Sequence, residues 1–306
     1  MNQGWTYREQ VPPSQAGMTV LEYYTQRYPH SSQSEWQERI TSHQIHLNGQ
    51  PTTANTPVQA GQWLIYQRPP WKEPDVPLNF EILHDDRDLL VVAKPAGLPV
   101  LPGGGFLEHT LLGQLKHHYP DETPYPIHRL GRGTSGLLLL ARSPFARSNL
   151  SQQMRDRQMR KTYRALISSS SLPDTFTITQ PIGKIPYPRL GYVHGATSDG
   201  LFAQSDCRVL CRSRTTTLLE VTILTGRPHQ IRIHLASVGY PLIGDPLYEI
   251  GGIPHPVTDD TFQKSPIPGD CGYHLHAYQL TFTHPRSQKP LAILCPAPPA
   301  LTYPCS

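Results

Sequence analysis

The stretch "IHRLGRGTSGLLLLAR", residues 127–142, decides between two folds. It contains Gly131-x-Gly133-x-x-Gly136, a spacing that cradles a dinucleotide pyrophosphate when a buried strand enters the first glycine and a helix leaves the last. Neither flank fits. Upstream, Pro120, Pro124 and Pro126 each lack the N–H that a central strand must donate. Downstream, Leu137 to Ala141 is a short apolar run of strand length, and the helix signal, Pro144 just inside a start at Ser143, comes only afterwards. With 23 glycines in the chain, the spacing arises by coincidence, and a doubly wound nucleotide fold is excluded.

Composition narrows what remains. The 306 residues can build one large domain and one small one, and 37% hydrophobic content with 33 prolines describes a loop-rich globular protein. No apolar stretch reaches the roughly 20 residues of a membrane span, and "MNQGWTYREQ" is too polar for a signal peptide. A cytoplasmic location is the expectation. Five cysteines, without paired CxxC spacing, predict free thiols rather than a zinc site. The net charge is only +4, yet 20 arginines stand against 7 lysines, a skew suited to reading a polyanion with planar, bidentate donors.

The first seventy residues read as a separate module. Val20, Tyr24 and Tyr28 fall at helical spacing behind a Thr19 cap, and Ser32 with Glu35 forms a capping box before Trp36 and Ile40. "QIHLNGQPT" predicts a strand entering an Asn48-Gly49 turn, with a return strand after Gly61. Over residues 15–68 this pattern resembles the small RNA-binding module named after the fourth protein of the small ribosomal subunit. The resemblance places Arg39, His43 and Gln44 near an RNA-facing edge. Residues 69–79, rich in proline and without periodicity, read as a linker.

From residue 80 to 302 strands dominate. Leu89 to Ala93 predicts a buried strand, "KTYRALI" another, "QSDCRVLCRSRTTTLLEVTIL" a pair about a polar turn, and "YHLHAYQLTFTHPRSQKPLAIL" a hairpin. Helices are expected in "TLLGQLKHHY", in "PFARSNLSQQMRDRQMRK" and in "GRPHQIRIHLASVG", whose Ile231, Leu235 and Val238 share a face. Without strict strand-helix alternation, the class is α+β, a mostly antiparallel sheet flanked by helices.

Five motifs now stand in order: "EILHDDRDLLVVAKPAGLPVLPG", "HRLGRGTSGLLLLAR", "KTYRALI", "TGRPHQIRIHLASVGYPLIGDPLY" and "LHAYQLTFTHP". In register, over residues 80–296, they resemble the RluA-type pseudouridine synthases. Such enzymes carry the same small RNA-binding module ahead of the catalytic domain. The resemblance implies isomerisation of uridine in structured ribosomal or transfer RNA, by breaking the N-glycosidic bond, rotating the base and rejoining it through carbon. It implies no metal and no organic cofactor, and a monomer as the working form.

It also gives the opening stretch its meaning. The family motif reads His-Arg-Leu-Asp-x-x-Thr-Ser-Gly and its aspartate is the catalytic carboxylate; this chain has Gly131 there. A carboxylate can attack the sugar or take a proton, whereas glycine offers only backbone. The other site positions match. Tyr163 corresponds to the tyrosine that stacks on the target base, Arg232 to the arginine that pairs with the missing aspartate, and Arg129 to a residue that helps to extrude the nucleotide. His128, Thr134 and Ser135 would shape the loop. Without its carboxylate, a buried Arg232 must find another anion, and the expectation is that no acid faces it directly. Asp121 and Asp245 are the candidate substitutes. His274 and His276, lacking a third ligand, do not make a zinc site. Residues 249–273 form a Pro/Gly-rich insert with no readable motif. Two functions survive: a uridine isomerase using a substitute for the aspartate, favoured by every position except one, and a catalytically silent RNA-binding or RNA-chaperone protein.

Overall fold

The computed structural model describes residues 1–168, 171–188, 190–257 and 265–302. The chain divides into two compact units, one of residues 1–73 with 187–191 and one of 74–186 with 192–302 among the described residues.

The first unit is built from its caps. Helix α1 (Val20–Arg27) starts at Thr19 and α2 (Gln33–Thr41) at Ser32, each through a complete capping box, with Glu22 and Glu35 reaching back to the cap N–H. Helix α2 ends in a Schellman turn: Gln44 N–H donates to Arg39 C=O and His43 N–H to Ile40 C=O, while His43 itself adopts φ 55°. The four-stranded sheet runs β1 (Trp5–Gln10), β4 (Trp63–Arg68), β2 (Ile45–Leu47), β3 (Gln50–Pro51). Asn48 and Gly49, at φ 50° and 82°, make the tight turn from β2 to β3. Strand β1 pairs with all of β4 and carries the unit's sheet upstream of residue 15, where the sequence reading placed the module's start. Its "WTYREQ" is mostly exposed and lacks the apolar alternation that marks a strand.

The second unit carries the main sheet. Strands β5 (Glu81–Asp85), β6 (Leu89–Lys94), β7 (Tyr125–Pro126), β8 (Ser135–Ala141), β9 (Arg160–Ile167), β10 (Thr175–Ile178), β13 (Ser205–Arg212), β14 (Thr217–Ile223), β15 (Leu275–Thr283) and β16 (Pro290–Leu294) belong to it. A separate two-stranded ribbon, β11 (Ile182–Tyr187) with β12 (Gly191–Ala196), went unread in the sequence. The order β10-β13-β14-β9-β15-β8-β6-β5 is antiparallel throughout except for the β15–β8 pair. This is the expected α+β class. Helices α3 (Leu111–His118), α4 (Pro144–Arg155) and α5 (Gln230–Ser237) lie within the predicted segments, but α4 ends at Arg155 because Arg160 and Lys161 already belong to β9, and Val238, expected on the buried face of α5, lies beyond its end and is exposed.

The apolar run Leu137–Leu140 is fully or almost fully buried in β8, paired with Leu90–Ala93 of β6. Strand β8 settles the opening question, because a strand follows the glycines where a nucleotide fold needs a helix. Gly136, at φ 102°, must be glycine: a Cβ there would meet the carbonyl oxygen of Ala277 on β15 at 2.2 Å. Strand β9, with β14 on one side and β15 on the other, is central, and Tyr163 faces Val221 and Ala277 in register.

Cys207, Cys271 and Cys295 are free thiols, as expected, but Cys211 is disulfide-bonded, against the reading of all five cysteines as free. Among the described residues no cluster of three His, Cys, Asp or Glu could hold a metal. His276 is a core histidine, bonded through Nδ1 to Ser135 Oγ at 2.8 Å and through Nε2 to the Cys295 carbonyl at 3.1 Å. No described helix is long and apolar enough to cross a membrane.

Candidate active site

A cavity of about 720 Å³ opens between the 125–129 segment, the end of α4, β9 and the turn after β14. Tyr163, His128 and Arg129, three positions singled out by sequence, line it together. So do four cations that sequence left without a site role: Arg155, Arg157, Lys161 and Arg227. None of its lining residues is Asp or Glu. Four arginines and one lysine around one hollow make an anion-receiving site, since their fields add where water is partly excluded. The signal for Arg155 and Arg157 was present in "QMRDRQMRK"; what sequence could not give was the face of α4 that they close.

Tyr163 is held by the central strand and is 7% exposed. Burial pushes its phenol up to about 12, so it is a neutral hydrogen-bond donor and an apolar ring at ordinary pH. His128 accepts the N–H of Leu139 on Nε2 at 3.2 Å, which assigns its proton to Nδ1. Burial first, and then the charge of Lys161, pull His128 down to about 4, so it too is neutral. Lys161 is itself lowered by burial, and its Nζ has the soft contact of Met154 Sδ at 3.7 Å.

Gly131 and Arg232 do not line this cavity. Arg232, on the first turn of α5 and 2% exposed, makes a two-pronged bond to Asp245, Nε to Oδ2 and Nη2 to Oδ1, both at 2.7 Å. This overturns the expectation that no acid faces it. The physical reason is that a buried guanidinium demands a carboxylate, and the "GDPLY" loop places one thirteen residues further along. Burial works to lower Arg232's affinity for its proton, but the Asp245 bonds overcome it and the net shift is upward. Asp245 Oδ1 also accepts the N–H groups of Leu247 and Tyr248 at 2.9 and 3.2 Å. With its lone pairs so committed and its side chain 1% exposed, Asp245 is a structural anchor rather than a poised nucleophile. Asp121, the other candidate substitute, is exposed and is not a cavity residue.

The loop at Gly131 holds the residue that sequence reasoning missed. Tyr273, at the end of the 249–273 insert, is 5% exposed and lays its ring across Gly131-Arg132-Gly133. A Cβ on Gly131 would stand 2.9 Å from Tyr273 Oη, and one on Gly133 would stand 2.9 Å from the ring's Cε1 and Cζ. Both glycines are therefore the seat of a phenol. Neither has positive φ, so space and not backbone conformation fixes their identity. The hydroxyl contacts Thr134 Oγ1 at 3.3 Å, and the Arg232 guanidinium lies over the ring, 4.2 Å from its centre. Burial raises the Tyr273 phenol, against a smaller opposing effect of Arg232. Beneath the same loop, Lys94 Nζ donates to the carbonyls of Pro95, Leu98 and Arg132 at 2.8, 2.8 and 3.1 Å, tying "KPAG" to "LGRG".

The three remaining expected contacts, Arg39, His43 and Gln44, lie in the first unit, with Gln44 part-exposed on the Schellman turn. Arg39 is half-buried, bonded to Ser31 Oγ at 2.9 Å and stacked on Trp36 at 4.3 Å from its ring centre. His43 is exposed on the Schellman turn.

Comparison with known proteins agrees with this architecture. The sequence profile of the family described as RNA pseudouridylate synthase matches residues 88–237, from β6 through α5. The chain is 53% identical over 285 residues to an uncharacterized RNA pseudouridine synthase of Synechocystis sp., covering 93% of this chain and 96% of that one. It is 33% identical to the ribosomal large subunit pseudouridine synthase D of Nitrosomonas europaea, over 94% of this chain and 83% of the relative. Among solved structures, human RNA pseudouridylate synthase domain containing 1 superposes with a TM-score of 0.56 at 25% identity, over 76% of this chain and 89% of that chain. Sequence, fold and the order of motifs converge, and the chain belongs to the RNA pseudouridine synthase family.

Proposed function

We propose that this protein binds structured RNA, ribosomal or transfer, and takes one nucleotide out of its stack into the cavity floored by Tyr163, without the carboxylate step of the family. The observation that carries the reading is the cavity's lining: five cations, an aromatic ring and no acid. Arg129, Arg155, Arg157 and Arg227 suit the phosphates that flank an extruded nucleotide, and Tyr163 offers the face on which its base stacks. Neutral His128 with its proton on Nδ1 adds a donor without charge. In the first unit, exposed His43 and the half-buried Arg39 stand on the helix α2 end that the resemblance assigns to RNA.

The missing step follows from position 131. N-glycosidic cleavage needs an oxygen able to attack the anomeric carbon or remove a proton, and the place where an acidic side chain would begin is held by Tyr273 Oη. Loss of a catalytic group of this kind lowers rates by about four to six orders of magnitude.

A second reading, a working isomerase, is favoured by that same hydroxyl. A phenol oxygen 2.9 Å from the residue-131 Cβ position occupies the region of an absent carboxylate oxygen, and tyrosine serves as a glycosidic nucleophile in some enzymes. The test is direct. Affinity for transfer or ribosomal RNA is measured by anisotropy against salt for wild type, Arg129→Ala, Arg227→Ala and Tyr163→Ala. The proposal expects a steep fall of affinity with salt, a shallower slope in the arginine variants, and weaker binding in Tyr163→Ala. Binding indifferent to salt and to all three changes would defeat it, and turnover abolished by Tyr273→Phe would establish the second reading.

A further inference from the structure

A second groove lies beside the first cavity. It encloses about 430 Å³ and is lined by Thr123, Tyr125, Arg142, Ser143, Arg147, Ser148 and Ser151, with two apolar neighbours. The two hollows share one residue, Tyr125, which is 47% exposed on the short strand β7. They also share helix α4. Positions 144, 147, 148, 151, 154 and 155 follow the three-and-four spacing of one helical face. The first four line the groove and the last two line the cavity, so a single face of α4 runs from one to the other.

The chemistry along that face is uniform. Arg147 stacks its guanidinium on Tyr125, 3.6 Å from the ring centre, and among the described residues no carboxylate pairs with it. Arg142 is neutralised by Asp85 and lies over Tyr119. Ser148 and Ser151 present hydroxyls one turn apart. Arg147 and Arg155 stand eight residues apart on the helix, which at 1.5 Å per residue is about 12 Å along its axis, the reach of a short single-stranded run.

We infer that this face of α4 is a track for the single strand of RNA that flanks the captured nucleotide. Arg147 and the serine hydroxyls hold its sugar-phosphate backbone, and Tyr125, braced from one side by Arg147, stacks a base at the junction with the cavity. The inference rests on the reading that the cavity receives a nucleotide, and it names what lies next to that nucleotide. The pairing of an unneutralised guanidinium with an exposed aromatic is the combination by which single strands are held without sequence preference. The groove joins the cavity along one face of α4, so the occupant continuous with an extruded nucleotide is the strand that carries it.

The experiment uses the full-length protein and two RNA hairpins, one with a single-stranded flank and one trimmed flush. Wild type is expected to bind the flanked hairpin more tightly. Arg147→Gln should remove about 0.7 from the slope of log affinity against log salt, the share of one single-strand phosphate. Tyr125→Ala should weaken the flanked complex about tenfold while Tyr125→Phe keeps it, since the ring and not the hydroxyl stacks. Arg147→Gln should leave the flush hairpin unaffected, and Tyr125→Ala, whose ring also lines the cavity, should weaken the flanked complex more than the flush one; both guard against misfolding as the cause. If Arg147→Gln and Tyr125→Ala retain the wild-type preference for the flank while Arg227→Ala weakens both hairpins, the track is wrong and the cavity stands. If Arg227→Ala leaves both hairpins unaffected as well, the nucleotide-receiving reading falls with it.

Discussion

Replacing Gly131 by aspartate restores the family motif on paper, and the structure sets what it does in the protein. The new Cβ meets Tyr273 Oη at 2.9 Å and Thr134 Oγ1 at 3.5 Å. The ring cannot slide toward Gly133, whose own Cβ position is already 2.9 Å from it, nor lift away, because Arg232 lies 4.2 Å over its face. Nor is Arg232 free to welcome the acid, since Asp245 holds it with two bonds of 2.7 Å. Overpacking of this kind costs about 1–3 kcal/mol, which lowers the melting temperature by roughly 2–4 °C per kcal/mol. Gly131→Asp is therefore expected to be destabilised and to gain no turnover.

Tyr273→Ala alone should cost about 3–5 kcal/mol as a large buried ring is lost. The double change should cost less than the sum of the two by about 1–3 kcal/mol, because the aspartate then occupies space the ring has left. Denaturant unfolding of wild type, the two single variants and the double variant supplies the cycle. Additive losses, or a Gly131→Asp protein as stable as wild type that releases tritium from uridine-labelled RNA with Tyr273 in place, would refute the reasoning.

Other expectations follow from the same contacts. Arg232→Met leaves Asp245 charged and buried and should cost about 3–5 kcal/mol, measured by urea unfolding, whereas Asp121→Asn should change nothing. Lys94→Met strands three carbonyls beneath the Gly131 loop and should lower stability by about 2–4 kcal/mol, with faster amide exchange from Leu98 to Thr134. His128 titrates near 4 when folded against about 6.5 when unfolded, so its stabilisation is present above 6.5 and lost as pH falls toward 4; His229, pulled down to about 3, acts in the same direction. Unfolding followed from pH 7 to pH 4 should show that decline, and His128→Gln should make it shallower while the His229 share remains. Ser32→Ala removes the capping box of α2 and should cost about 1 kcal/mol, read as a fall in melting temperature.

What was legible in the sequence was local chemistry. The Thr19 and Ser32 caps, the Asn48-Gly49 turn and the run Leu137–Ala141 each state their structure within a few residues, and each appears where expected. Strand β1 did not announce itself because an edge strand exposed along most of its length has no alternation to read. The site divided in the same way. Tyr163, His128 and Arg129 line one cavity, but the partner of Arg232 and the occupant of the Gly131 loop are matters of tertiary packing. Thr134 and Tyr273 meet across 139 residues, a distance over which no periodicity speaks. Even the spacing Gly131-x-Gly133, which looked like a nucleotide fingerprint and then like a lost nucleophile, records a third thing: two side chains left out so that a ring can lie flat.

The most direct test of that account is tritium release from RNA labelled at uridine C5, with wild-type protein in excess over transfer or ribosomal RNA, because rejoining the base through C5 must expel the label. The account predicts stoichiometric, salt-sensitive RNA binding with no release above the rate without protein. Full release by wild type, undiminished in Asp121→Asn but lost in Tyr273→Phe, would contradict it and assign the chemistry to the Tyr273 phenol beside position 131.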